Sequence, residues 1–175
     1  MKFNLEHYDD TFNVVFTEYF NLLQIKKVGL FEYGRGHKEL AEFLIKNNFD
    51  VKIYDDYTQN IFRPQDGRYQ GLDDHFTEYN ILGNPEPPDV LHDIIFCSLP
   101  NMIPGVPDEA LYPKLRSAFE RMYGMLEPGG YIITCDYNSY NIKRCVDELF
   151  DSVKGMIDID EHNKYFAAIR YSAYD

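Results

Sequence analysis

Short, mostly apolar runs alternate along this chain with stretches of helical period, and that alternation restricts it to folds in which helices cover a largely parallel sheet. Residues 27–33 form the first run, the kind of apolar segment that a strand buried on both faces needs. A helical stripe of Leu40, Ala41, Leu44 and Ile45 follows, and residues 51–54 supply a second strand, completing a βαβ unit. Between 57 and 75 the periodicity is lost, with Pro64, Gly67 and Gly71 in the way, so a long loop with at most one helical turn is expected before a third strand at 76–79. Residues 93–97 read as the fourth strand. A helix is expected over 107–125, with Leu111, Leu115, Ala118, Phe119 and Met122 on one side, then a fifth strand at 131–135 and a helix over 140–150. The last two strands, 153–159 and 164–172, are joined by Asp160-Glu161-His162-Asn163, enough for a hairpin and too short for a crossover helix. The expected architecture is an α/β three-layer sandwich whose mostly parallel seven-stranded sheet ends in an antiparallel C-terminal hairpin.

Ahead of the first strand, residues 8–23 place Phe12, Val15, Phe16, Tyr19, Phe20 and Leu23 at steps of three and four, an amphipathic helix over some face of the core. No repeat or low-complexity linker interrupts the 175 residues, so a single domain spanning 1–175 is expected, with an N-terminal helical lid at 1–25 and the core at 26–175. At 45% hydrophobic and 26% charged residues the composition is that of a globular protein, and no apolar run approaches the ~18 residues that cross a bilayer. A soluble protein with no membrane contact is expected. Residues 1–7 show no basic patch leading into an apolar stretch, so no signal peptide is read and the cytoplasm is the expected location. Cys97, Cys135 and Cys145 are too widely spaced for a zinc knuckle and lie in apolar or helical stretches, which argues against a disulfide framework and a metal site. A net charge of -12, with basic residues clustered no further than pairs such as Lys26-Lys27 and Lys143-Arg144, disfavours nucleic acid as a partner.

Two glycines follow the first strand in Glu32-Tyr33-Gly34-Arg35-Gly36-His37, where a tight turn lets a ligand approach backbone with no Cβ in the way. A dinucleotide fingerprint needs a third glycine three residues after Gly36. Glu39 stands there instead, and its carboxylate would repel a pyrophosphate. A cationic ligand without phosphate suits the acid at Glu32 far better. Further on, Met125-Leu126-Glu127-Pro128-Gly129-Gly130-Tyr131-Ile132-Ile133 joins a helix to an apolar strand through a proline-glycine turn.

These segments, in this order, resemble the class I methyltransferases that use S-adenosylmethionine (SAM), a Rossmann-like family. The resemblance runs from about Lys27 to the closing hairpin, and its most specific part is the turn at Glu127-Pro128-Gly129-Gly130. It implies SAM as cofactor, with Glu32, Gly34 and Gly36 around the methionine part, Asp55 (or its neighbour Asp56) on the ribose hydroxyls, and Asn80 and Ile81 at the adenine. Lys38 replaces the family's last glycine, and Asn80 replaces an acid. Ser98-Leu99-Pro100-Asn101 occupies the place where amino-directed members carry a polar residue followed by two prolines and an aromatic, with only its first and third positions agreeing; Ser98 joins the cofactor-binding set. His37 carries no weight, and the aromatic residues Tyr8, Tyr19, Tyr137 and Tyr140 read as core before they read as a substrate pocket. Methyl transfer gains mainly from alignment, so no catalytic residue is assigned. The expected acceptor is a small molecule or a protein side chain. The rival expectations are a non-catalytic binding or scaffold module, and an aminopropyltransferase-like enzyme using another nucleoside-like ligand.

Overall fold

The computed structural model describes residues 1–6, 8, 10–21, 25–31, 38–55, 71–83, 86–99, 105–137, 140–150, 153–159 and 164–171, with the side chains of 11, 135–137, 153–159, 164 and 166 outside that description. Four helices and seven strands occur there: α1 Asp10–Asn21, β1 Lys27–Phe31, α2 Glu39–Lys46, β2 Asp50–Asp55, β3 Phe76–Glu78, β4 His92–Cys97, α3 Asp108–Gly124, β5 Leu126–Tyr137, α4 Tyr140–Leu149, β6 Val153–Ile159 and β7 Lys164–Arg170. Among the described residues a 3-10 turn at Asp73–His75 precedes β3, and 57–70 of the expected loop lie outside them. The sheet order is β3-β2-β1-β4-β5-β7-β6. Strands β1 to β5 pair in parallel, and β7 runs antiparallel to both β5 and β6. The Rossmann-like sandwich read from the sequence is therefore the fold, hairpin included.

Each central strand divides its side chains between two apolar layers, as the two-residue period of a strand requires. Val28, Leu30, Ile53, Ile94, Phe96 and Ile133 face α1 and α2, whose Phe12, Phe16, Phe20, Leu40 and Leu44 complete that layer. Phe31, Tyr54, Ile95, Cys97 and Ile132 face α3 and α4, meeting Leu111, Leu115, Phe119, Ile142 and Val146. Burial on both faces leaves β1 and β4 apolar between their ends. At the amino end, Asp93 Oδ2 accepts the backbone N–H groups of Lys26 and Lys27, both at 2.9 Å, and so pins the entry into β1.

Helix α1 also binds the segment ahead of it. Asn13, Thr17 and Asn21 stand one turn apart. The Leu5 N–H donates to Asn13 Oδ1 at 2.8 Å, the Phe3 N–H to Thr17 Oγ1 at 2.9 Å, and Asn21 Nδ2 donates to the Met1 carbonyl at 2.6 Å. Asn13 Nδ2 returns bonds to the carbonyls of Leu5 and Tyr8. A polar stripe at four-residue spacing thus does for residues 1–5 what a neighbouring strand would do. Phe3 is inserted between Phe20 and Phe43, with ring centroids 5.0 and 4.6 Å away.

The proline-glycine turn lies inside a strand and not ahead of one. Leu126 already pairs with His92, and the ladder resumes at Tyr131 opposite Ile94, so Glu127–Gly130 forms an irregularity within β5. Two glycines make it feasible. Gly129 has φ +81°, a conformation that L side chains rarely adopt. A Cβ on Gly130 would stand 2.7 Å from the Asp93 carbonyl and 2.9 Å from that of Glu127. The irregularity is also paired across the sheet, the Gly129 N–H donating to the Tyr171 carbonyl and the Tyr171 N–H to that of Gly130.

Both contacts at Gly130 are backbone atoms that cannot swing away. Gly130→Ala is expected to destabilise the protein by about 1–3 kcal/mol or more. Gly124 ends α3 with open space around it, and Gly124→Ala is expected to stabilise by about 0.4–1 kcal/mol through the unfolded state. Denaturant midpoints of the two variants check this, and equal effects would refute the packing account of Gly130.

Candidate functional site

Strand order reverses beside β1. The chain proceeds β1, β2, β3 to one side, then crosses to place β4 on the other flank of β1. At such a reversal the loops leaving adjacent carboxyl ends diverge, one to each face, and open a crevice. The Phe31 carbonyl accepts the Ser98 N–H at 2.9 Å, and the Asp55 carbonyl accepts the Tyr79 N–H at 2.9 Å, so the ladders run one step past the strands. Along this edge Asn80, Asp55, the end of β1 and Ser98 therefore follow one another at strand spacings of about 4.8 Å.

Of the residues singled out in the sequence, the structure brings Asp55, Asn80 and Ser98 to this edge. Asp55 is 1% exposed and Ser98 3% exposed, both far more enclosed than loop residues of their kind. Ser98 Oγ has no hydrogen-bond partner among the described residues. Ile81 departs from the others: its side chain is 1% exposed and lies in the apolar layer shared with α3 and α4. Glu32, Gly34 and Gly36 lie outside the described residues, as do Asp56 and the side chain of Tyr137. Chain connectivity alone places 32–37 between the carboxyl end of β1 and the start of α2. Tyr8 packs edge-on against Phe16 and Phe96, Tyr19 against Tyr131, and Tyr140 is exposed.

Asn80 starts a closed turn. Its Oδ1 accepts the Leu82 N–H at 3.0 Å and its carbonyl accepts the Gly83 N–H at 3.1 Å. Glu39, the acid that excludes a dinucleotide fingerprint, accepts the Glu6 N–H at 2.6 Å and so ties the N-terminal segment to the first turn of α2. No cluster able to hold a metal ion occurs among the described residues, and no helix there is long and apolar enough to cross a membrane.

Below the edge stands a group that no local pattern announces. Phe31 and Tyr54 stack at 4.7 Å with an interplanar angle of 15°, and Tyr79 meets both edge-on. The Tyr54 hydroxyl bonds His92 Nε2 at 2.9 Å. The imidazole fits because Gly29 has no side chain: a Cβ there would stand 3.0 Å from His92 Cδ2. Burial pushes the His92 pKa down to about 4 and the Tyr54 hydroxyl up to about 12, so both stay neutral at pH 7. Tyr54, Tyr79 and His92 are 13 to 38 residues apart in sequence, and only the sheet joins them.

No protein-family model matches the sequence, and no curated protein is significantly similar to it. Solved structures are similar. The N-methyltransferase NodS from Bradyrhizobium japonicum WM9 aligns over 94% of this chain and 98% of its own, with a TM-score of 0.60 at 14% identity. The chain has the class I methyltransferase fold. A second NodS structure, in complex with S-adenosyl-L-homocysteine, aligns over 83% of this chain and 78% of its own, with a TM-score of 0.56 at 12% identity. A methyltransferase from Pyrococcus furiosus covers 97% and 89% with a TM-score of 0.57 at 14% identity. A putative hemolysin from Lactococcus lactis reaches a TM-score of 0.58 at 13% identity over 92% and 85%. The class I methyltransferase fold is thus shared among proteins of different description, and chemistry must be argued from the cleft.

The His92 pair has a pH signature. Its folded pKa lies below the ordinary 6.5, so its contribution to stability is complete above about pH 6.5 and is lost as pH falls through about 4. A loss of about 3 kcal/mol is expected across that window. His92→Gln does not titrate there and should show a correspondingly flatter pH profile of unfolding free energy; parallel profiles would exclude a buried neutral His92.

Proposed function

We propose that this protein is a SAM-dependent methyltransferase acting on a small molecule or a protein side chain. The observation that carries the reading is the set of buried polar groups at the carboxyl edge beside the β1–β4 reversal. An acid at Asp55 and a hydroxyl at Ser98 that has no partner among the described residues flank the end of β1. The fit is chemical as well as positional. A carboxylate has two oxygens and accepts from two adjacent ribose hydroxyls, while an amide and a small hydroxyl offer donor and acceptor to a base and an amino acid tail. In the sequence an acid, Glu32, follows β1 directly and would suit a sulfonium, while the acid at Glu39 would disfavour a pyrophosphate.

SAM supplies, when bound, a sulfonium-activated methyl group that an acceptor lone pair takes in one displacement, leaving S-adenosylhomocysteine. For this chain the task is alignment and exclusion of water, and such a displacement needs no catalytic triad. The N-terminal segment would serve as the lid, a role supported by two contacts. Its Glu6 N–H is held by Glu39 in the first turn of α2, and Tyr8 packs against Phe96 of β4. With a net charge of -12 the surface favours acceptors other than polyphosphates, in the cytoplasm. Engagement of the Asn80 oxygen by Leu82 favours a second reading, a nucleoside-binding module of the same fold that does not transfer methyl groups.

Calorimetry with S-adenosylhomocysteine tests the common part of both readings. Wild-type protein is expected to release heat of binding, and Asp55→Asn to weaken it by about 10–100-fold, the value of one or two hydrogen bonds to a charged acceptor. No heat at millimolar ligand overturns the site. Methylation of candidate amines or protein side chains with labelled SAM then separates enzyme from module.

A further inference from the structure

The turn that begins at Asn80 is held from α3 by one guanidinium, and we infer that Arg121 is the positioning residue for the base edge of the nucleoside pocket. The inference rests on the site reading above and adds a residue and a specificity to it. Arg121 donates from one terminal nitrogen to the carbonyls of both Ile81 and Gly83, the latter at 2.8 Å. Its neighbour on the same helix, Arg116, spends its charge on surface carboxylates, Glu120 and Glu148. Arg121 is half-buried and forms no ion pair among the described residues. It also lies against the Tyr79 hydroxyl, opposing the upward push of burial on that group's pKa.

Two features make this more than a packing contact. A trans peptide points its carbonyl and the following N–H in opposite directions. The Ile81 carbonyl goes to Arg121, and the Leu82 N–H of the same peptide plane goes to Asn80 Oδ1. Arg121 and the Asn80 amide therefore hold opposite sides of one plane, and the cation sets the direction in which that amide is presented. The turn has no slack to absorb a change: a Cβ on Gly83 would meet Asn80 Nδ2 at 3.1 Å and the Asn80 carbonyl at 3.3 Å. Asn80 in turn follows Tyr79, whose N–H is bonded to the carbonyl of Asp55. A rotation of the Ile81–Leu82 plane thus reaches the residue next to the proposed ribose acid.

A base edge fixed this way distinguishes a 6-amino group, a donor, from a 6-oxo group, an acceptor. The test is calorimetry with S-adenosylhomocysteine and with S-inosylhomocysteine, its 6-oxo counterpart, on wild type, Arg121→Gln and Arg121→Lys, with thermal unfolding run alongside. Wild type is expected to prefer the adenine compound. In Arg121→Gln its affinity falls at least tenfold and the preference falls toward unity, while Arg121→Lys, which retains a cation able to reach one carbonyl, recovers part of both. If Arg121→Gln does not fold, Gly83→Ala displaces the same turn and is expected to lose the same preference. Unchanged affinity and preference in Arg121→Gln overturn the inference alone. An equal loss for both ligands also overturns it, because loosening of the whole domain does that. Failure of the wild type to bind either ligand overturns the site reading and this inference with it.

Discussion

Parallel pairing of β1 with β4 is the contact on which the rest of the molecule depends. It joins the two halves of the chain, Val28 to Ile94 and Phe31 to Cys97. Both strands are covered on both faces, so neither tolerates a polar side chain mid-length. Polar groups are driven to the strand ends, and the two ends are used differently. At the amino end the Asp93 carboxylate satisfies two backbone donors, a purely structural use. At the carboxyl end Ser98 keeps a buried hydroxyl that has no partner among the described residues, which costs about 1–3 kcal/mol for a group the fold does not require. Unsatisfied groups of that kind are expected where a ligand completes them.

Gly29 shows how the same pair shapes its surroundings. The missing side chain in the middle of β1 is filled by the ring of His92 from the start of β4, and that ring reaches the hydroxyl of Tyr54 on β2. A strand glycine usually weakens a sheet by its entropy and its missing packing. Here the space is occupied, and a hydrogen bond crosses the sheet diagonally through it. The layer facing α3 is therefore stiffened beneath the carboxyl edge by aromatic rings and one neutral imidazole, which pack as apolar bodies while the Tyr54 hydroxyl and His92 Nε2 satisfy each other.

Much of this was legible in the residues. Strands such as 93–97 and 131–135 are apolar without alternation, which a parallel, doubly covered strand requires, and the short polar link at 160–163 forced an antiparallel ending. The proline-glycine turn was legible as a turn. Its membership of β5 was not, because pairing of Leu126 with His92 depends on where β4 begins and not on any local preference. Candidate positions were legible where they follow strand ends, as at Asp55 and Ser98. Ile81 shows the limit. A residue one step beyond such an end turns inward or outward according to the turn it sits in, and the turn at Asn80 sends its side chain into the core. The Asn13, Thr17 and Asn21 stripe had a visible four-residue period, yet a polar face on a helix ordinarily meets water, and nothing local says that residues 1–5 come back to it.

Arg121 and Tyr79 illustrate the harder case. Forty positions separate Arg121 from Ile81, and the cation contacts carbonyl oxygens, which every residue carries and no sequence pattern marks. Such contacts are dictated by topology: β3 is followed by a loop with no described helix before β4, so the chain returns along the face that α3 covers and its carbonyls need donors there. A guanidinium on a neighbouring helix is well suited, since one terminal nitrogen can serve two acceptors while the stem stays in the apolar layer. The same economy ties the turn at Asn80 to the packing of α3 through a residue that lies outside the motifs at the strand ends.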